Sequence, residues 1–172
     1  MPFSEAPRKR CIYPNQLTPI QSNPMLKGIN PLLSADVLHL LASMGHGDDV
    51  AVVDANHPAE AIARSTTSGK LIRLPGVGMG EFITALLTVF PLDGYVPDPV
   101  RCMEPVPGDD PHPDVQTEIA SVLEQSSETA PLTPVERFAF YEAGKNAFGV
   151  IQLGDARPYG CFLFRKGVLS PD

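Results

Sequence analysis

The run Val50-Ala-Val-Val53 restricts the fold more than any other stretch of this chain. Four apolar residues, three of them β-branched, have the length and composition of a buried strand. A helical pattern leads into the run. Ser34 is a good N-cap, and Val37, Leu40, Leu41 and Met44 then fall on one helical face. Gly45 stands where a C-cap glycine would. Between helix and strand lies Met44-Gly-His-Gly-Asp48, and Asp54 closes the strand. The stretch therefore reads as helix end, tight turn, histidine, strand, acid. Glycine on either side leaves His46 uncrowded, and an imidazole both gives and takes protons near neutrality. By itself the stretch favours a histidine that merely ends a helix, close to its carbonyls.

The 172 residues suit a single domain with a normal core. A net charge of −7 argues against nucleic acid as a partner, because phosphate binding needs a basic face. No apolar run approaches the roughly 20 residues that cross a bilayer. Cys11, Cys102 and Cys161 are odd in number and widely spaced, with no CxxC, so a reducing cytoplasm is expected rather than a disulfide framework or zinc knuckle. Residues 1–24 carry Arg8, Lys9 and Arg10 against Glu5 alone, are rich in proline and have no periodicity. They read as a disordered arm, ahead of a compact domain over residues 25–172.

Past Asp54, Asn56-His57-Pro58 breaks the strand, and residues 59–70 are small and polar enough to read mostly as loop. Leu71–Leu74 is a second short strand. Gly76-Val-Gly-Met-Gly80 leads into a helix with Phe82, Ile83, Leu86, Leu87 and Phe90 on one side. Its GxGxG spacing matches neither a dinucleotide fingerprint nor a P-loop, so a flexible strand-to-helix turn is expected. Val100–Met103 reads as a third strand, residues 104–113 as a surface loop, and Val115, Ile119, Val122 and Leu123 as an amphipathic helix. Thr133-Pro-Val-Glu136 has the pattern of a capping box, predicting a helix that starts there with Val135, Phe138, Ala139 and Glu142 in one register. Phe148–Leu153 and Gly160–Phe164 close the chain as strands. Strands alternating with helices imply an α/β fold, a single-domain layered sandwich with a mixed β-sheet flanked by helices.

The polar candidates beside apolar structure are His46, Asp54, His57, Arg137, Tyr141 and Tyr159. His46, Asp54 and His57 suit a divalent ion by type but lack the helical spacing of a zincin. A nucleophilic Cys161 paired with a histidine is a second possibility, although a half-buried strand cysteine is usually inert. A third is metal-free acid–base chemistry on a polar small molecule. Histidine would move the proton, aspartate and arginine would hold hydroxyls, and tyrosine would add a further donor–acceptor.

Taken in order, these residues resemble one family, the L-fucose mutarotases and D-ribose pyranases, over about residues 25–169. The resemblance rests on Met25-Leu-Lys-Gly-Ile-Asn-Pro31, Met44-Gly-His-Gly-Asp48, Asp54-Ala-Asn56, Pro91-Leu-Asp93 with Tyr95, Glu136-Arg-Phe-Ala-Phe-Tyr-Glu142, Tyr159-Gly160 and Lys166-Gly167. The arginine-tyrosine helix looks like the fucose branch. The resemblance implies an RbsD-like sandwich and a metal-independent, cofactor-free isomerase exchanging α and β anomers of L-fucose or a related aldose. It implies His46 and Tyr141 as catalytic residues, and Asp54, Arg137, Tyr159, Gly160 and Cys161 as substrate-binding ones. It further implies a cytoplasmic homo-oligomeric ring with sites at subunit boundaries, and no nucleic-acid or membrane partner. The family commonly has asparagine where Cys161 stands, and a thiol bonds sugar hydroxyls poorly, so the substrate preference is open. A non-catalytic sugar-binding or regulatory oligomer on the same fold is the alternative. Spacing adds one constraint. His46 and Asp54 are eight residues apart, about 26 Å if the path is extended at about 3.3 Å per residue. Either the turn folds back or another subunit completes the site.

Overall fold

The computed structural model describes residues 26–169, so the expected arm at 1–24 and Cys11 lie outside the described residues. Eleven elements follow one another: α1 (Ala35–Ser43), β1 (Asp49–Val53), α2 (Ala59–Ala63), β2 (Leu71–Leu74), α3 (Met79–Leu87), β3 (Val100–Met103), α4 (Asp114–Gln125), β4 (Leu132–Val135), α5 (Arg137–Lys145), β5 (Gly149–Leu153) and β6 (Cys161–Arg165). The strands form one mixed sheet in the order β2-β5-β1-β6-β3-β4. β1 pairs in parallel with β5 and antiparallel with β6, and only β6 runs against the other described strands. The carboxyl ends of five strands and the start of β6 therefore share one edge of the sheet.

β1 sits in the interior of the sheet, and Val50 through Val53 are all fully buried. A strand covered on both faces has no reason to alternate polar and apolar residues, which is why this run is continuous. Val50 and Val52 join α1, α3 and α4 in the larger core, with Phe82, Ile119 and Phe162. Ala51 and Val53 turn the other way, toward Ile62 of α2 and Phe140 of α5. Truncating a fully buried phenylalanine such as Phe82 or Phe162 to alanine would cost about 3–5 kcal/mol. The two free cysteines fall on opposite faces, Cys102 in the first core and Cys161 in the second.

Ser34 caps α1 as expected, its Oγ accepting from Val37 N at 3.4 Å. At the other end the left-handed residue is Gly47 (φ 85°) rather than Gly45. The terminal carbonyls of α1 are satisfied from a distance: Lys166 Nζ, just past β6, donates to Leu41 O at 2.8 Å and Met44 O at 2.7 Å. A cation on the carbonyls at a helix C-terminus is favourable both as a hydrogen bond and against the helix dipole.

Three local expectations are corrected. Thr133-Pro-Val does not begin a helix. Leu132–Val135 is β4, paired in parallel with β3 at the sheet edge, where the missing N–H of Pro134 is tolerated. Helix α5 starts two residues after Thr133-Pro134-Val135, capped by the Glu136 carboxylate, which accepts from Phe138 N and Ala139 N. Its buried side is also different: Phe138 and Ala139 are exposed, whereas Phe140 and Gly144 are buried. Finally, residues 59–63 are the short helix α2 rather than loop, because Ala59, Ile62 and Ala63 pack on the second core. The turn before α3 behaves as expected. Glu81 Oε1 takes the Gly78 N–H at 2.7 Å, so a carboxylate already stands where a phosphate would.

Candidate active site

The expected site residues divide between the two edges of the sheet. His46 is on the amino edge, in the turn before β1. The remainder lie on the carboxyl edge or on the helix that starts there. The five residues of β1 separate the groups, about 17 Å at about 3.3 Å per residue. The turn does not fold back to Asp54.

On the amino edge the His46 imidazole is half exposed (50%), with Nε2 3.3 Å from Oδ1 of Asp93, whose side chain is only 4% exposed. The same Asp93 oxygen accepts the Tyr95 N–H at 3.0 Å. That backbone bond, ahead of the contact with His46, holds the Asp93 carboxyl below the usual carboxylate range. The Tyr95 ring meets the imidazole edge-on, with centroids 5.9 Å apart. The arrangement is an orienting carboxylate, an accessible imidazole and an aromatic wall, as a proton carrier requires. Leu92 bridges to Lys166, which brings the Asp93 turn beside β6 and the His46 turn.

On the carboxyl edge, Asp54 and Cys161 do meet. Asp54 Oδ1 accepts from Asn56 N at 2.8 Å, and the Cys161 thiol donates to Oδ2 at 3.3 Å. His57 Nδ1 lies 3.4 Å from the same sulfur. With the thiol's one proton used on Asp54, His57 offers its Nδ1–H to the sulfur. Its Nε2 is buried without a partner among the described residues. Burial lowers the His57 pKa to about 4, so the ring is neutral near pH 7. Burial, then the Asp54 charge, pushes the Cys161 thiol well above its ordinary value, which opposes the nucleophile reading. The Tyr141 ring packs on His57 at 5.5 Å between centroids. Gly160 allows this close packing: a Cβ there would stand 3.2 Å from Asp54 Cβ and 3.3 Å from Met79 Cε.

Tyr159 has φ 64°, in the left-handed region, a conformation that persists in a non-glycine residue only when neighbours enforce it. Gln116 Nε2 donates to its carbonyl at 3.2 Å. Its hydroxyl accepts Val106 N–H at 3.2 Å and donates to the Asp109 carboxylate. Arg137, the first residue of α5, stacks over Phe138 at 4.8 Å and has a buried Nε without a partner among the described residues. It lines a cavity of about 800 Å³ with Glu104, Asp109 and Glu136. A second cavity, of about 350 Å³, lies across Asp109 and is bordered by Tyr159 and Arg157.

Asp93 stands in one of the motifs quoted above, but its pairing with His46, like that of Asp109 with Tyr159, was not legible from the sequence. Each finds its partner 47–50 positions away, and nothing local signals the pairing. The trio His46, Asp54 and His57 is not assembled within one subunit, and among the described residues no group of three His, Cys, Asp or Glu side chains is arranged to hold a metal ion. Among the described residues no helix is long and apolar enough to cross a membrane.

A mixed six-stranded sheet between helical layers, with candidate polar groups at both strand edges, defines a small single-domain α/β protein. Residues 27–169 match the family described as RbsD / FucU transport protein family, and the chain belongs to it. It is 40% identical over 148 residues to human fucose mutarotase, covering 84% of this chain and 95% of the relative. It is 38% identical to the L-fucose mutarotase of Actinobacillus pleuropneumoniae over 145 residues, 84% of this chain and 97% of that one. Among solved structures, the fucose mutarotase of Streptococcus pneumoniae in complex with L-fucose superimposes with a TM-score of 0.75 at 33% identity, covering 84% of this chain and 100% of that chain.

Proposed function

We propose that this protein is a mutarotase that interconverts the α and β anomers of L-fucose or a closely related aldose. The observation that carries the reading is an accessible imidazole, His46, set on a buried carboxylate, Asp93, in a chain 40% identical to a protein named fucose mutarotase. Anomers exchange when the ring opens to an aldehyde and recloses on the other face. Opening needs a proton delivered to the ring oxygen while another leaves the anomeric hydroxyl. His46 is the donor, and a tyrosine of the carboxyl edge, Tyr141 or Tyr159, is the acceptor. Asp54 and Arg137 hold sugar hydroxyls through charge-assisted bonds, against a floor made by Gly160 and Cys161. A general acid–base contribution of about 10²–10⁴ is enough for a reaction that already proceeds in water.

One chain does not bring His46 to Asp54, so the working site joins the amino edge of one copy to the carboxyl edge of the next. A head-to-tail contact of this kind closes into a ring when its rotation permits. Exposed Tyr95, Val168 and Leu169 on one edge and Phe138 on the other give both sides of such a contact apolar surface to bury. A cytoplasmic, metal-independent enzyme fits the free thiols of Cys102 and Cys161 and the residues assigned here.

Exchange NMR on L-fucose, with D-ribose, galactose and arabinose beside it, tests the proposal. Accelerated anomer exchange that disappears in His46→Ala supports it. Sugar binding without acceleration for any aldose would leave a non-catalytic binder instead.

A further inference from the structure

The Tyr159 hydroxyl sits among partners that fix which proton it holds and which lone pair it leaves free. The loop from Glu104 to Pro113 leaves β3, turns at Gly108 (φ 102°) and brings the Asp109 carboxylate back to the Tyr159 hydroxyl. A carboxylate has no proton to give, so the hydrogen between the two oxygens belongs to the phenol. The Val106 N–H, at 3.2 Å, takes one acceptor position on the same oxygen. Toward a ligand Tyr159 therefore offers only a lone pair. A sugar hydroxyl meeting it must donate. Tyr141 is placed differently, with its ring packed on buried His57.

We propose that Tyr159 and Asp109 together form the proton-accepting half of the site, with Asp109 as the positioning residue that receives the phenol's proton. This rests on the mutarotase reading above. In ring opening, the anomeric hydroxyl gives its proton to Tyr159 Oη as the phenol's own proton passes to Asp109. The bond between the anomeric carbon and the ring oxygen breaks, the carbonyl forms, and the ring oxygen takes its proton from His46 of a neighbouring copy. In closure on the other face, the freed sugar hydroxyl returns its proton to His46. Asp109 returns its proton through Tyr159 to the former carbonyl oxygen. The phenol is neutral before and after each step. Its pKa is raised above the ordinary value, chiefly by the hydrogen bond to Asp109, consistent with a relay rather than a free phenolate. The rare backbone conformation at Tyr159 fixes where the relay points.

The test uses Asp109→Asn, Asp109→Glu, Tyr159→Phe, Tyr141→Phe and the Asp109→Asn/Tyr159→Phe double variant of the full chain. Asp109 is exposed on a loop, so its replacement does not threaten folding. Two readouts are taken: kcat and KM for L-fucose anomer exchange, and the titration of Tyr159 by NMR on tyrosine-labelled protein. Asp109→Asn and Tyr159→Phe should each lower kcat by about 10²-fold with KM changed by less than about threefold. The double variant should be no slower than Tyr159→Phe, Asp109→Glu should recover part of the rate, and Tyr141→Phe should lose less than Tyr159→Phe. The Tyr159 titration should move toward the ordinary tyrosine value in Asp109→Asn. Wild-type kcat in Asp109→Asn, losses confined to KM, or multiplicative losses in the double variant would overturn the relay and leave the mutarotase reading standing. An unmoved Tyr159 titration would overturn the pairing whatever the activity. A wild-type protein that accelerates no exchange would instead remove the mutarotase reading and the relay with it.

Discussion

The two ends of β1 are built differently. At its carboxyl end Asp54 and Cys161 are each 3% exposed and bonded to one another, and Gln152 Nε2 ties the adjoining backbone at the carbonyls of Asp54, Ala55 and His57. At its amino end His46 stands half in solvent, with one carboxylate behind it and an 82%-exposed tyrosine beside it. The first arrangement resembles a core: its polar atoms largely satisfy one another, and it would lose stability if disturbed. The second contributes little to stability and is free to exchange protons. A reaction that needs a rigid floor and a mobile proton is served by bringing the two together, which a single copy does not do.

The contrast is tested most severely by His46→Ala. Anomer exchange should fall by about 10²–10⁴-fold, while unfolding in urea changes by less than about 0.5 kcal/mol. A large loss of stability would mean that the amino edge is structural after all. Mixing dissociated and reassembled His46→Ala with Asp54→Asn should restore about a quarter of wild-type activity, because random assembly gives about that share of boundaries both intact halves. A mixture as inactive as its components would mean that each site belongs to one chain.

Smaller effects probe the carboxyl edge. His57 has a folded pKa of about 4 against an ordinary 6.5, so the unfolded chain takes up this proton first. Its contribution to stability is complete above pH 6.5 and is lost as pH falls through 4, by about 3 kcal/mol in all. Urea unfolding across that window should have this slope in the wild type and lack it in His57→Gln. Cys161→Ala should cost about 1–2 kcal/mol, since it leaves His57 Nδ1 and one Asp54 oxygen unpaired. A neutral result there would mean that the buried cluster has room to rearrange.

Much of the fold is legible where neighbours in sequence are also neighbours in space. Leu71–Leu74 and Val100–Met103 are strands at the expected bounds, and α3 and α4 follow their apolar periodicity. Local pattern misleads at Thr133-Pro-Val-Glu136, where a good helix start is overridden because β3 offers a strand to pair with. It misleads again in α5, where Phe138 and Phe140 are equally apolar and only the packing against α2 and the sheet decides which is buried. Residues 59–63 look like loop because their helix is held by Ile62 and two alanines rather than by its own periodicity.

By itself the sequence determined the buried strand, the uncrowded histidine before it and the acid after it, because these depend on chain direction, glycine placement and apolar runs. The family resemblance supplied further candidate residues for the site. Only the tertiary structure decided which groups meet. Asp54 finds Cys161 across 107 positions, and Tyr159 finds Asp109 across 50. His46 finds Asp93, not Asp54. The reason is physical: periodicity records which face a residue takes, whereas contacts between distant side chains are set by strand order and by the reversal of β6. The same reversal puts Lys166 beside the His46 turn and Cys161 beside Asp54, and so gives each group of candidate residues its own edge.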